Sequence, residues 1–332
     1  PADRLSTIRQ SAAEQFLLDG LPSTRHEDWK YTNLAPAASV GANWLESGQQ
    51  ARPPAGVPAA AAEYLRTLQS SIDACWFVDA DGAVLARDCD SNFDAADCIS
   101  IERLSVASNA ADIRATDSLT RLNAALLRDG LRLNVTAGCG DKPVAFFFVD
   151  AEEAMPDMSQ NRVLVDAGAQ AHARVILAHW SAPGADRFRN TVVELELHQA
   201  ATVDVVQISD SAADQTLVNT VVASQARDSQ LRFSSFDFGG ALLRNDVKVL
   251  IDGPGAETHL SGLYLAGIGQ HIDNHTRVDH RQGPAQSNEI YRGILGRRSR
   301  CVFNGKAIVH AGADGTDANQ SNHNLLLSDE AE

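Results

Sequence analysis

The chain has 332 residues, more than the roughly 150 of a single domain, but solenoids and barrels run longer as one unit, so one large domain or two remain open. Hydrophobic residues make up 44% of it, yet apolar runs such as Val144–Val149 fall far short of the ~18 residues that cross a bilayer. Acidic residues outnumber basic ones 43 to 28, and a net charge of −15 repels phosphate backbones and anionic lipid, so neither nucleic acid nor membrane is an expected partner.

The amino-terminal third reads as helical. From Leu5 to Leu18 the apolar residues Leu5, Ile8, Ala12 and Phe16 recur at helical spacing, Ser6 or Thr7 is placed to cap the start, and Gly20 with Pro22 ends the run. Thr24 to Glu27 has the spacing of a capping box, with Trp29 and Tyr31 as anchors for docking this short segment on something larger. Ala51 to Ala62, rich in Pro and Ala, reads as a linker into a short helix carrying Tyr64 and Leu65, which puts a domain boundary near residue 70. Beyond it, Cys75–Val78 and Ala83–Leu85 flank Asp79-Ala80-Asp81-Gly82, a hairpin signal. Asp117 to Arg128 returns to helical spacing through Leu119, Leu122 and Leu126, and Gly130 closes it.

From Leu131 onward short Val/Leu/Ile-rich runs alternate with Gly, Asn, Asp and Ala. Turn markers at Gly168, Gln199, Asp228, Gly255, Gly283 and Gly312 are spaced by 31, 29, 27, 28 and 29 residues. A fixed period of this size signals stacked units, and a unit without a helix or a leucine-rich consensus leaves strands. The expected fold is therefore mainly β: a parallel β-helix core over 136–332, an N-terminal α-helical domain over 1–70, and a mixed connecting region over 71–135. The expected interior is alternating Val, Leu, Ile and Ala, with an antiparallel sandwich as the alternative.

Five cysteines, Cys75, Cys89, Cys98, Cys139 and Cys301, lie scattered with no C-x-x-C pair and no charged-then-apolar leader before them. The expectation is a reducing cytosol and no metal caged by thiolates alone. Neither a P-loop, a G-x-S-x-G elbow nor an H-E-x-x-H helix occurs, and Gly267-Ile268-Gly269 lacks its third glycine at Ile272. One cluster carries metal-ligating residue types. If His271–His280 is a strand, then His271, Asp273, His275, Arg277 and Asp279 share one face while Ile272, Asn274, Thr276, Val278 and His280 take the other. His271, Asp273 and His275 are thus candidate metal ligands, against a bland reading in which the acids pair with Arg277 and the histidines. Cys301 reads as a small hydrophobe, since alternation puts Arg298 and Arg300 on the other face. Asn319–Asn324 suits side-chain ladders at coil corners.

Particular strings bear a resemblance. Leu21-Pro22-Ser23-Thr24-Arg25-His26-Glu27-Asp28-Trp29-Lys30-Tyr31-Thr32 resembles the amino-terminal signature of the SufD family, scaffold subunits of the SUF iron–sulfur cluster assembly machinery. Ser299–Gly305 and Asp317–Leu327 are similar to repeat-core text that this family shares with SufB. The resemblance implies a right-handed parallel β-helix and a non-catalytic bacterial, cytoplasmic scaffold. It also implies pairing with SufB, binding by the ABC-type ATPase SufC, and self-pairing through the β-helix when alone. No cofactor would be held stably; a transient iron–sulfur cluster would form at the partner interface. Family text continues past the Asn-Leu-Leu-Leu stretch into a Cys-Ser-His-Gly element and SufC-gripping helices. The present sequence ends at Glu332, so no functional residue carries over from there, and the acidic end suggests truncation. A polysaccharide-acting β-helix enzyme is the rival, but Asp252, Asp279 and Asp314 fall out of phase with the repeat. A histidine-based metal-binding module is the third reading.

Overall fold

The computed structural model describes residues 5–47, 56–89, 98–105, 113–139, 142–150, 157–184 and 186–332. Helix α1 (Ser6–Asp19) stops at Gly20, whose φ of 66° only glycine adopts without cost. Its start lies at Leu5 with no side-chain cap, so neither Ser6 nor Thr7 serves as one. The Thr24–Glu27 segment forms no capping box either; a single 3-10 turn, Glu27–Trp29, follows an extended His26. Helix α2 (Ala35–Ser47) was not anticipated, although Ala37, Val40 and Trp44 supply its buried face at helical spacing. Part of the expected linker, residues 51–55, lies outside the described residues; its continuation enters α3 (Ala59–Ser71).

Strands β1 (Cys75–Ala80) and β2 (Ala83–Asp88) form the expected hairpin. Asp81 and Gly82 both have positive φ, 51° and 78°, the twist that matches a two-residue turn to its strands. After β3 (Ile99–Arg103) comes α4 (Ser118–Leu126), opened by a complete capping box between Asp117 and Thr120. From there the described elements are all strands: β4 (Leu131–Val135), β5 (Val144–Val149), β6 (Asp157–Ala167), β7 (His172–Trp180), β8 (Arg187–Leu197) and β9 (Thr202–Ser211). There follow β10 (Gln215–Gln225), β11 (Gln230–Gly239), β12 (Leu242–Ile251), β13 (Glu257–Ala266) and β14 (His271–His280). The last three are β15 (Gln286–Leu295), β16 (Arg300–Val309) and β17 (Asp317–Leu326).

Odd strands from β5 to β17 build a nine-stranded sheet completed by β1 and β2, and even strands from β4 to β16 build an eight-stranded sheet completed by β3. Every pairing from β4 and β5 onward is parallel, which makes the protein a β-solenoid of about six turns and removes the antiparallel sandwich. The repeat read from the sequence is the coil length. In register, Gln170, Ala200, Asp228, Gly255 and Gly315 each stand two residues before their strand with φ of 60°, 57°, 58°, 76° and 75°. Left-handed backbone at that one corner lets each turn stack on the next: the Gln170 amide donates to the Gln199 carbonyl, and the Ala200 amide to Arg227, at 2.9 Å each.

The interior differs from the expected aliphatic one. Val175, Val205, Phe233 and Leu260 form an apolar column on one sheet, facing Val193, Val221 and Val247 on the other. Beside them runs a buried polar column, Asn161, Thr191, Asn219, Asn245 and Asn274. Asn245 joins the two sheets: its amide donates to Asp237 and Asn274 at 2.8 Å, and its oxygen accepts from Gln207 at 2.8 Å and Asn219 at 3.1 Å. Burial pushes the Asp237 carboxyl up to about 6, despite hydrogen bonds from Asn245, Ser235, Ser209 and Gln207.

The helices bury their faces on the solenoid. Leu34, Ala37, Val40 and Trp44 share a hydrophobic cluster with Met158, Phe188 and Val218 of the eight-stranded sheet. Helix α3 packs Ala61, Tyr64 and Leu65 on Trp76, Val78 and Phe147 of the nine-stranded sheet, while Leu5 meets Leu104, Leu127 and Leu164. Among the described residues, the segment read as a helical domain has no hydrophobic cluster without solenoid or α4-side partners. Two disulfides, Cys75–Cys89 and Cys98–Cys139, fasten the first strands, and Cys301 is the free cysteine. The scattered spacing did not reveal these pairs, because strand register brings them together. Among the described residues no helix is long and apolar enough to cross a membrane.

Candidate functional site

The histidine-rich run is β14, and its alternation is as the spacing predicts. Ile272, Asn274, Thr276, Val278 and His280 line the interior, and His271, Asp273, His275, Arg277 and Asp279 face outward over the eight-stranded sheet. That outer face is covered by the segment Leu21–Leu34. Thr32 Oγ1 donates to Asp273 Oδ2 and lies 3.1 Å from His271 Nε2. The Trp29 ring stacks on the Arg244 guanidinium, with 3.8 Å from ring centroid to the central carbon. Asp28 accepts from Lys306 Nζ at 2.5 Å. The tryptophan and threonine that carry the family resemblance are therefore a strap across β12, β14 and β16.

Arg244 holds the centre. Its side chain has no exposed surface, and its Nη1 donates to Asp273 Oδ2 at 2.5 Å. Asp273, equally buried, is 2.9 Å from His275 Nε2 through its other oxygen. Burial works against the Asp273 carboxylate, but hydrogen bonds from His275 and Thr32 and the Arg244 charge hold it below the usual carboxylate range. Burial, with only partial compensation from Asp273, lowers the His271 pKa.

Beside the strap lies a groove of about 480 Å³, walled by Trp29, Asp117, Asp246, Lys248, Arg277 and Lys306. Its charges neutralise one another. Lys248 Nζ is 2.7 Å from Asp117 and 3.7 Å from Asp246, Arg277 Nε is 2.6 Å from Asp279, and Asp279 also meets His310 at 2.9 Å. Burial opposes both charges of the Lys248–Asp117 pair, but each holds the other ionised: Asp117 is lowered and Lys248 raised. Asp279 is lowered chiefly by its hydrogen bond from Arg277. Carboxylates held ionised and cations held charged are poorly suited to moving protons near neutral pH.

The fold brings His271, Asp273 and His275 onto one face, as read. Asp273, however, is shared among Arg244, Thr32 and His275. Among the described residues no group of three or more His, Cys, Asp or Glu is arranged to hold a metal ion. Cys301 is half-buried on the inner side, where burial pushes its thiol up to about 12, the state of a small hydrophobe. Arg300 lies on the outer side, 5.9 Å from the Tyr31 ring centroid. The asparagine-rich run is strand β17 and not a coil corner, and its side chains meet unlike residues: Tyr264 Oη lies 2.9 and 2.6 Å from Asn322 and Asn324 Oδ1, and Gln320 Nε2 donates to Glu289 at 2.8 Å. Of the acids considered for a polysaccharide cleft, Asp252 pairs with Arg281 at 3.1 Å and Asp279 with Arg277. Sequence reasoning missed Arg244, whose only signal was its place two residues before Asp246 and four before Lys248 on an outward face.

A parallel solenoid strapped by its own N-terminal segment defines a structural class more than a reaction, and the comparisons with known proteins name that class. The family of the SUF system FeS cluster assembly SufBD core domain matches residues 147–332, more than half of the chain, and the chain belongs to it. The iron–sulfur cluster assembly protein SufD of Escherichia coli is 23% identical over 97% of this chain and 74% of its own length. An iron–sulfur cluster assembly SufBD family protein of Mycobacterium leprae is 34% identical over 41% of this chain and 36% of its own. A Synechocystis SufBD family protein is 25% identical over 64% of this chain and 49% of its own. The chain thus spans about a third of the mycobacterial relative and about half of the cyanobacterial one.

Proposed function

We propose that this chain is a non-catalytic scaffold in iron–sulfur cluster assembly, pairing with a SufB-like solenoid and bound by a SufC-like ABC ATPase. The observation that carries this reading is the coincidence of the family match, 147–332, with the coils β6–β17. The near full-length likeness to Escherichia coli SufD adds the strap and helices to the match. The self-neutralised outer groove supports a role in holding shape, since its ionised groups are committed to one another. In this reading iron and sulfur are cargo, joined in a transient cluster at the interface with the partner, and ATP hydrolysis belongs to the ATPase. Without partners the chain pairs with itself through the solenoid, in the cytoplasm of a bacterium.

The test is assembly. A form with the length of its relatives, mixed with SufB- and SufC-like proteins, gives one complex of all three by multi-angle light scattering. Separate peaks under conditions where the other two associate would remove the reading.

A further inference from the structure

The two antiparallel pairings of the described structure, β1 with β2 and β3 with β4, sit together at the start of the solenoid. Strands β2 and β3 are the outermost strands of their respective sheets. Each would present unpaired backbone at its free edge, the weak point of any stack of strands. A sulfur pair accompanies both. Trp76 pairs with Asp88, which puts Cys75 directly opposite Cys89, with their Cα atoms 4.4 Å apart. On the other sheet the Thr136 amide donates to the Cys98 carbonyl at 2.8 Å, and Cys139, just past that turn, has its Cα 5.5 Å from that of Cys98. Both spacings lie within the range a disulfide requires. Cys89 stands just after β2 and Cys98 just before β3, so each pair ties the end of an outermost strand to its neighbour.

The two members of the first pair differ in their surroundings. Cys75 is fully buried in the solenoid core, whereas Cys89 is half-buried at the rim. Arg87 Nε donates to Cys89 Sγ at 3.2 Å. A guanidinium hydrogen-bonded to sulfur stabilises a thiolate, and reactive cysteines are those that combine such a cation with access to solvent. The remaining cysteine lacks that cation: Cys301 is half-buried on the inner side of β16, and the Arg300 beside it faces outward.

We propose that Cys75–Cys89 and Cys98–Cys139 are reversible disulfide-forming sites that latch the N-terminal end of the solenoid, with Cys89 the attacking thiolate of the first. The oxidant is a small disulfide such as oxidised glutathione. The Cys89 thiolate attacks one of its sulfurs, forming a mixed disulfide and releasing one glutathione thiolate. Cys75, losing its proton, then attacks Cys89 Sγ and expels the second. Two electrons pass from the cysteine pair to glutathione, and the two protein thiol protons end on the two glutathione thiols. Closing each pair ties an edge strand to its neighbour and removes freedom from the opened state, across sequence separations of 14 and 41 residues. The inference is independent of the assembly role.

The test uses the full chain equilibrated with graded ratios of oxidised to reduced glutathione, quenched in acid denaturant, alkylated and mapped by peptide mass spectrometry. Both pairs close and reopen across the series and Cys301 is alkylated at every ratio. Arg87→Leu slows closure of Cys75–Cys89 several-fold without changing the rate of Cys98–Cys139, a selectivity that general destabilisation would not produce. Hydrogen exchange in β2 and β3 rises on reduction while β9–β13 stay protected. Pairs that remain open at every ratio, remain closed at every ratio, or include Cys301 would overturn the proposal, as would equal slowing of both pairs by Arg87→Leu.

Discussion

Replacing Arg244 by Met should release the N-terminal strap. Arg244 has no exposed surface, donates to Asp273 at 2.5 Å and stacks on Trp29 at 3.8 Å. Methionine fills much of its volume but leaves the equally buried Asp273 carboxylate with only Thr32 and His275 as partners. Breaking a buried pair by removing one member costs about 3–5 kcal/mol, because the remaining charge is stranded. The two surviving partners place Arg244→Met at the low end, about 3 kcal/mol. A second change, Asp273→Asn, removes the stranded charge and should recover more than half of that loss, since a neutral amide in the same place can still be hydrogen-bonded. Urea unfolding of the single and double variants measures the energies, and hydrogen exchange over residues 27–34 reports whether the strap has lifted. A single variant within about 1 kcal/mol of the parent, with unchanged exchange in the strap, would refute the reasoning.

Gly262 and Gly293 seat two interior rings reciprocally: a Cβ at Gly262 would lie 2.2 Å from the Tyr291 ring, and one at Gly293 2.3 Å from the Tyr264 ring. Gly262→Ala should therefore cost about 1–3 kcal/mol by overpacking, and Tyr291→Leu should relieve part of that cost; thermal denaturation of the three variants checks it. Burial raises both Asp79 and Asp237 to about 6 in the folded chain, against roughly 4 when unfolded, so the folded state binds these protons more tightly. Stability should fall as pH rises from about 4 to about 6, by at most roughly 3 kcal/mol per carboxyl, and level off above. Asp237→Asn should remove its share of that slope in urea titrations at pH 4.5, 5.5 and 7. Below pH 4 the trend reverses, because Asp117 and Asp273 are held low and lose their charge there. Changing His271 and His275 together to Ala should leave iron titration of the chain unaltered; a lost binding isotherm would restore the metal-site reading.

Much of the solenoid was legible because its contacts are periodic. A residue's neighbours in a stacked coil lie one repeat away, so the beat through Asp228 and Gly255 shows the coil length, and strict alternation on β14 shows which side chains face in. The hairpin at Asp81-Gly82 and the helix begun at Asp117 were legible for a related reason, since each is closed within a few residues, whereas the capping box that opens the helix was not read. Helix α2 went unread although its Ala37, Val40 and Trp44 stripe was present and Asn33 accepts from the Ala35 amide at its start, because a short helix competes poorly with the Pro- and Ala-rich text around it.

What alternation alone could not show is who meets whom across unlike elements. Thr32 reaches Asp273 across 241 positions and Asp28 reaches Lys306 across 278, and no period links those numbers. Similarly, Cys75 finds Cys89 through a hairpin register and Cys98 finds Cys139 across a sheet edge, so counting cysteines yielded free thiols where the fold makes pairs. The polar column centred on Asn245 was read as aliphatic core, since an inward position is fixed by alternation but its polarity is tolerated only when a facing sheet supplies Asp237 and Gln207. Sequence by itself thus determined the repeating unit, its length and its inward face. The tertiary structure decided the strap, the sulfur pairs and the polar interior, because each depends on hydrogen bonds or contacts made only after separate surfaces are brought together.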